Sequence, residues 1–193
     1  MDQTRPLNLR LTVFASLFTA LIVIGGYLSF PVPFSPVPVV LSDFFTMLAG
    51  LFLGASWGVV SVGLFLCLGA LGLPVFAGGK AGLAVLWGPT GGFLFGYLAA
   101  VFIIGLISGK GKPSLVKDFF ALLAGNLLIF GFGLSWLKLI LRLTWGKALA
   151  FGLLPFIPGN AIKITAALAV MQMLRPLFKP ALADYGKSGS RVK

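Results

Sequence analysis

The sequence predicts an all-α integral membrane protein with six transmembrane helices. Of its 193 residues, 59% are hydrophobic and 10% are charged, and apolar runs recur from residue 11 to residue 177. A spanning helix needs about 20 apolar residues, so this length holds about six and leaves no room for a separate soluble domain. We therefore expect one membrane-embedded domain over residues 1–193.

Changes in hydropathy and the positions of glycine and proline mark the spans in order. The first span follows Arg10, and because no A-x-A-like cleavage site follows it, we expect a retained helix rather than a signal peptide. The predicted spans are 9–30, 40–54, 57–73, 88–108, 117–134 and 160–178, followed by a basic cytoplasmic tail over 179–193.

Three connections between these spans are too apolar for ordinary loops. They are the proline-rich segment 31–40, the glycine-rich segment 73–92, and the stretch 135–159. Non-helical backbone at membrane depth is tolerated only where it is buried in protein or lines a cavity. We expect all three segments to contribute to one site.

The distribution of the basic residues predicts the orientation. Ten of the 15 Lys and Arg residues fall at the N-terminus, in the link 110–117 or from Arg175 onward, on the side opposite the three segments. Cytoplasmic loops carry the excess of Lys and Arg. We therefore expect both termini to be cytoplasmic and the three segments to converge on the outer face of the cell membrane.

Lys163 is a cation close to the start of the last span. If Asn160 caps this helix, Lys163 lies at the positive end of the helix dipole, where a cation is unfavourable but an anionic ligand is favoured. The alternative is a lysine that snorkels to the outer headgroups. We favour an anion site; for Asn160, capping and ligand contact remain equal alternatives.

Asp43 is the only one of the four acidic residues that falls well within a predicted span. An acid at that depth needs a partner, which Lys163, Lys80 or a ligand N–H group would supply. Equally, it would be favoured by the dipole at the start of its own helix. Both interpretations remain open.

The composition argues against several classes of function. The chain has no histidine and one cysteine, Cys67, so it forms no internal disulfide and no Cys/His metal cluster; we expect no cofactor. It contains no nucleotide-hydrolysis motif and no set of catalytic side chains. The net charge of +11 comes from residues that set topology, so we expect no nucleic-acid binding and no enzyme activity.

Aromatic and small residues have both structural and functional interpretations. Trp136 and Trp145 fit an interfacial belt facing the lipid, whereas Trp87 either joins that belt or walls an apolar ligand together with Phe30, Phe34 and Phe76. Ser16 and Ala20 form a small-residue pair on the first span. Such spacing permits close helix approach and has no sharper meaning by itself.

Three segments together resemble the BioY family, the biotin-specific substrate-binding (S) components of energy-coupling factor (ECF) transporters. They are PVPFSPVPVVLSDFFTMLAGLFLGASWG, LGLPVFAGGKAGLAVLWGPTGGFLFGY and PFIPGNAIK. The resemblance covers residues 8–177 and implies the six-helix S-component fold with biotin bound at the outer side. It also implies a transmembrane coupling protein and two ATP-binding subunits as partners.

The resemblance further implies roles for individual residues. Lys163 and its helix end would take the biotin carboxylate. Asn160 stands where the family usually has Asp, Ser42-Asp43 where Gln-Thr is common and Phe93 where Tyr is frequent, so we expect Asp43 to accept the ureido N–H groups. The predicted substrate-binding residues are Lys163, Asn160, Asp43, Gly78, Gly79, Phe34, Phe76, Trp87 and Thr90. The predicted docking residues for the coupling protein are Ser16, Ala20, Ala15 and Thr19.

Two alternatives to biotin uptake stay open. The first is an S component for another carboxylated vitamin. The second is a non-transporting scaffold whose glycine-rich faces bind partner helices; it predicts no saturable binding of a small molecule and leaves Lys163 unexplained.

Overall fold

The computed structural model describes residues 9–109 and 114–188, with side chains up to Arg175. The chain folds into the helices α1 (Leu9–Tyr27), α2 (Ser42–Ala70), α3 (Leu83–Leu86), α4 (Gly91–Ser108), α5 (Leu115–Leu141), α6 (Trp145–Gly152) and α7 (Ile157–Ser188). Two short strands, β1 (Ser29–Phe30) and β2 (Val39–Val40), pair antiparallel. The predicted all-α membrane class is confirmed, since five helices in the described ranges are long and apolar enough to cross a membrane.

The second and third predicted spans appear as the single element α2, which reverses direction at Gly54. This glycine has φ 73° and ψ −173°, a backbone conformation that essentially only glycine adopts. A Cβ built on Gly58 would lie 3.6 Å from the Cα of Gly50, although these residues would be about 12 Å apart in a continuous helix. The two halves of α2 therefore pack against each other as a hairpin, as two spans would.

The proline-rich segment forms a hairpin over one end of the bundle. Strands β1 and β2 bring its ends together, and the backbone N–H of Leu41 donates to Gly25 O at 2.9 Å. The hydroxyl of Ser35 donates to Phe151 O at 2.8 Å, which ties the hairpin to α6. The first helix ends at Tyr27, three residues before the predicted boundary, because this pairing begins at Ser29.

The stretch 135–159 is largely helical, so its prediction as an irregular segment is wrong. Helix α5 continues to Leu141 and ends where Arg142 adopts the left-handed conformation (φ 51°). Helix α6 and a 3₁₀ turn (Leu154–Phe156) follow. Helix α7 then begins at Ile157. Pro158 lies in its first turn, where a proline is well tolerated because the backbone N–H that it lacks would have no partner within the helix.

The last helix packs on the bundle through both polar and apolar side chains. Between Ile157 and Arg175 its buried positions are Asn160, Lys163, Ala167 and Met171, a single stripe along one face. Two of these four side chains are polar, and partly buried apolar side chains of the same helix also pack against the core. Its helical backbone extends to Ser188, beyond the predicted span and into the predicted basic tail; residues 189–193 of that tail are outside the described residues.

Candidate functional site

A cavity opens at the end of the bundle that carries the hairpin and the glycine-rich segment. The space that it encloses, together with the open space at its mouth, is about 740 Å³. Its wall combines a few polar groups with many apolar side chains. The lining includes Asp43, Lys163, Asn160, Lys80, Thr90 and Phe76.

The polar end of this cavity is built around an ion pair between α2 and α7. The amino group of Lys163 donates to the two carboxylate oxygens of Asp43 at 2.9 and 2.8 Å, and to the backbone oxygen of Val40 at 2.7 Å. Asp43 is 8% exposed and Lys163 is 7% exposed. Lys163 thus points into the protein, and snorkelling does not describe it.

Asp43 combines the two roles that the sequence left open. It lies in the first turn of α2, where the helix dipole favours a negative charge, and its carboxylate accepts the backbone N–H of Phe44 at 2.9 Å. Its charged partner is Lys163 rather than Lys80. The pair joins residues 120 positions apart in the chain.

Asn160 lies beside this pair and has an unsatisfied amide oxygen. Helix α7 begins three residues before it, at Ile157, so the expectation that Asn160 caps the helix is wrong. The residue is 7% exposed, and its Oδ1 has no hydrogen-bond partner among the described residues. A buried acceptor without a donor costs about 1–3 kcal/mol, so a ligand N–H group placed here would remove a penalty.

Apolar side chains form the remaining wall. Phe76 is 1% exposed and packs edge to face on Phe65, with ring centroids 5.4 Å apart. Phe93 and Tyr97 of α4 are 7% and 4% exposed. The further lining residues are Val37, Pro38, Val40, Ser42, Ala77, Val85, Leu94, Ile129, Phe130 and Phe156.

The structure brings together five of the predicted substrate-binding residues: Lys163, Asn160, Asp43, Phe76 and Thr90. The other four, Gly78, Gly79, Phe34 and Trp87, do not line the cavity. Phe34 is 92% exposed and Trp87 is 63% exposed, so both rings lie on the outward side of their segments.

The glycines act through the backbone instead. Gly78 (φ 66°) and Gly79 (φ 75°) form a tight turn closed by the Phe76 N–H, which donates to Lys80 O at 2.9 Å. This turn places Lys80 on the cavity wall. From the sequence, Lys80 is expected only as a possible partner for Asp43. Tyr97 is not predicted as a lining residue, because apolar and aromatic residues are so common in this sequence that a single one does not stand out.

The four predicted docking residues divide between two faces of α1. Ser16 and Ala20 are exposed, and the Ser16 hydroxyl donates to Thr12 O within the helix at 3.0 Å. Ala15 is 3% exposed and Thr19 is 4% exposed, with the Thr19 hydroxyl donating to Ser61 O at 2.9 Å. Ala15 and Thr19 therefore face the protein core, and placing them on a docking face is wrong.

A second buried ion pair lies at the opposite end of the bundle. Asp118 of α5 is 0% exposed; it accepts from Arg175 at 2.8 Å and from the Ser108 hydroxyl at 2.6 Å. Asp118 lies at the start of its predicted span, and its burial was not anticipated from the sequence. Within the described ranges, no group of three or more His, Cys, Asp or Glu residues has the arrangement of a metal site.

Comparison with known proteins gives a consistent result. The profile of the BioY family matches residues 1–180. The chain is 38% identical over 169 residues to "Biotin transporter BioY" of Thermotoga maritima, covering 88% of this chain and 98% of that protein. It is 39% identical over 160 residues to "Probable biotin transporter BioY" of Pyrococcus horikoshii, covering 83% and 93%.

The fold also matches a solved structure. The crystal structure of the S-component for biotin from an ECF-type ABC transporter superposes with a TM-score of 0.82 at 32% identity, covering 91% of this chain and 95% of that one. The predicted S-component-like fold is therefore confirmed.

Proposed function

The chain belongs to the BioY family, and from this premise we propose that it is the biotin-binding S component of an ECF transporter, not an enzyme. It is a multi-pass membrane protein that captures biotin and delivers it inward. The observation that carries the assignment of the site is the cavity whose polar end holds Asp43, Lys163 and the unsatisfied amide of Asn160.

The chemistry of the cavity fits the chemistry of biotin. The ureido ring offers two N–H donors, for which the Asp43 carboxylate and the Asn160 oxygen are acceptors, and one carbonyl oxygen, whose partial negative charge is favoured by the nearby Lys163 ammonium. The thioether ring and the hydrocarbon chain are apolar and suit the wall formed by Phe76, Phe93 and their neighbours. The ureido ring therefore occupies the buried polar end, and the thioether ring lies against the apolar wall.

Equilibrium binding of radiolabelled biotin to the detergent-purified protein tests this function. We expect saturable binding that unlabelled biotin displaces and other carboxylated vitamins do not. The double variant Asp43→Asn/Lys163→Met should lose it, since it removes the charges of two of the three polar groups that face the ureido ring while no unpaired charge remains buried.

The matched control is Asp118→Asn/Arg175→Met, which removes the other buried ion pair and should bind biotin normally. A folded wild-type protein that binds another vitamin instead would overturn the choice of substrate. One that binds none would favour the scaffold interpretation.

The partners we propose are a transmembrane coupling protein and two ATP-binding subunits. The exposed pair Ser16 and Ala20 on α1 offers a flat surface on which a partner helix can approach closely. Ala20→Trp should retain biotin binding but lose ATP-dependent uptake in the reconstituted complex. Ala169→Trp, a matched change at an exposed position of α7, should preserve both; loss of uptake in both variants would refute this docking surface.

We also propose that the cavity opens to the outside of the cell membrane and that both termini are cytoplasmic. The supporting observation is the excess of basic residues at the opposite end, most of which lie outside the described residues or carry undescribed side chains. In a Cys67→Ser background, an impermeant thiol reagent should label Lys80→Cys in intact cells but not Ser114→Cys. The reverse pattern would invert the topology.

A further inference from the structure

Three basic residues lie at the corner where α5 ends and α6 begins. Lys138 is in the last turn of α5, Arg142 follows the end of that helix, and Lys147 is in the first turn of α6. We call these three residues the basic corner. The sequence has no acid between Asp118 and Asp184, so none of the neighbouring chain segments supplies a negative charge to the corner.

The acids elsewhere in the described chain are already engaged. Asp43 and Asp118, the two acids with described side chains, are each paired with a residue of α7. Among the described residues, no ion pair involves Arg142 or Lys147, and both are exposed. The basic corner therefore carries positive charge that no described acid offsets.

The backbone holds this corner in a defined shape. Arg142 adopts the left-handed conformation (φ 51°), and the N–H of Leu143 donates to Lys138 O at 3.0 Å. The amino group of Lys138 lies 5.2 Å from the centre of the Trp145 ring, within the range of a cation–π contact. A cation and an indole ring are thus held side by side where the two helices meet.

Exposed apolar side chains adjoin the basic corner. Leu139, next to Lys138 in the chain, is 70% exposed; Trp145 is 55% exposed, and Leu149, one turn further along α6, is 40% exposed. Tryptophan is enriched at membrane–water interfaces, where its ring lies at the level of the lipid headgroups. The corner therefore combines cations for a headgroup with apolar side chains for the upper part of the acyl chains.

We propose that the basic corner binds the headgroup of an anionic phospholipid. Lysine and arginine make strong, charge-assisted hydrogen bonds to phosphate oxygens, and basic residues near a membrane surface attract anionic lipids. A zwitterionic phospholipid has the same phosphate, but its own cation offsets the charge, so it gains less at this site. The proposal uses no residue of the cavity and does not depend on the proposed function.

Quenching of tryptophan fluorescence by brominated lipids tests this site, because Trp145 is part of it. The purified protein is reconstituted in phosphatidylcholine that contains a small fraction of brominated phosphatidylglycerol or, for comparison, of brominated phosphatidylcholine. The variant Trp145→Phe identifies the part of the signal that comes from Trp145. We expect the anionic lipid to quench that part at a lower fraction than the zwitterionic lipid does.

Neutralising the corner should abolish this preference. In Lys138→Met/Arg142→Asn/Lys147→Met, asparagine is chosen at position 142 because it tolerates the left-handed conformation. The preference should fall by about fivefold for each cation removed. The single variants Arg142→Asn and Lys147→Met should show the same effect in smaller steps, so a triple variant that does not fold leaves the test intact.

The matched control is Lys138→Arg/Arg142→Lys/Lys147→Arg, which changes the same positions, keeps all three charges and should keep the preference. Thermal unfolding followed by circular dichroism checks that each variant is folded. Equal quenching of the wild type by both lipids would overturn the proposal, since it is the result expected of separate basic side chains that only reach water. A preference that survives neutralisation, or that soluble glycerol phosphate abolishes, would overturn it as well.

Discussion

The two ends of this bundle each contain a buried ion pair, and the pairs differ in what surrounds them. Asp43–Lys163 faces a cavity beside the unsatisfied amide of Asn160. Asp118–Arg175 is closed, since Ser108 and Arg175 satisfy the two oxygens of an acid that is 0% exposed. A buried charge alone therefore does not identify a binding site. A binding site is distinguished by an open cavity and by a neighbouring polar atom that has no hydrogen-bond partner.

The pairs share a structural role despite this difference. Each acid lies in the first turn of its helix, and both cations belong to α7. Lys163 and Arg175 are 12 positions apart in the sequence, about 18 Å along a helix. The pairs therefore link α7 to α2 at one end and to α5 at the other.

The largest effect should come from Lys163→Met, which leaves Asp43 buried without its cation. We expect the free energy of unfolding to fall by about 3–5 kcal/mol and biotin binding to be lost. Adding Asp43→Asn should recover most of the stability but not the binding. Denaturant titration of the detergent-solubilised protein, followed by biotin binding at a temperature where each variant is folded, separates the two outcomes; recovered binding in the double variant would contradict this assignment.

Arg175→Met should cost stability without costing affinity. We expect a loss of about 3 kcal/mol, the lower end for a broken buried pair, because the arginine side chain is 20% exposed and Ser108 still bonds the acid. The dissociation constant for biotin, measured on the folded fraction, should stay at the wild-type value. A parallel loss of affinity would show that the two ends are energetically coupled and that the contrast drawn between them is wrong.

The smallest effect should come from Asn160→Leu, which tests the unsatisfied amide. Removing a hydrogen-bond partner of the ligand should weaken biotin binding by about tenfold, while stability is unchanged or improved because an unsatisfied buried oxygen is gone.

Asn126→Leu is the control for this change. Asn126 also has an unsatisfied Oδ1, but it lies outside the cavity lining and its amide nitrogen donates to Leu122 O at 3.2 Å. It should lower stability and leave affinity unchanged. Equal affinity in Asn160→Leu and the wild type would remove Asn160 from the site.

Part of the candidate site could be read from the sequence because ionisable residues in apolar spans are conspicuous. Lys163 and Asp43 were identified on that ground, and Asn160 and Phe76 through the segments that resemble a known family. Phe34 and Trp87 were assigned on residue type and segment alone, and the structure leaves them exposed. Residue type does not tell toward which side of a loop a ring points.

The membrane class, the approximate spans and the charged groups that need a partner can be predicted from the sequence alone. These follow from hydropathy over about 20 residues, which is a local property. Other features are visible only in the tertiary structure. Asp43 pairs with Lys163, Ala15 and Thr19 face inward, the stretch 135–159 is mostly helical, and Asp118 is buried. Those outcomes depend on contacts between residues as far as 120 positions apart, which local patterns of polarity do not encode.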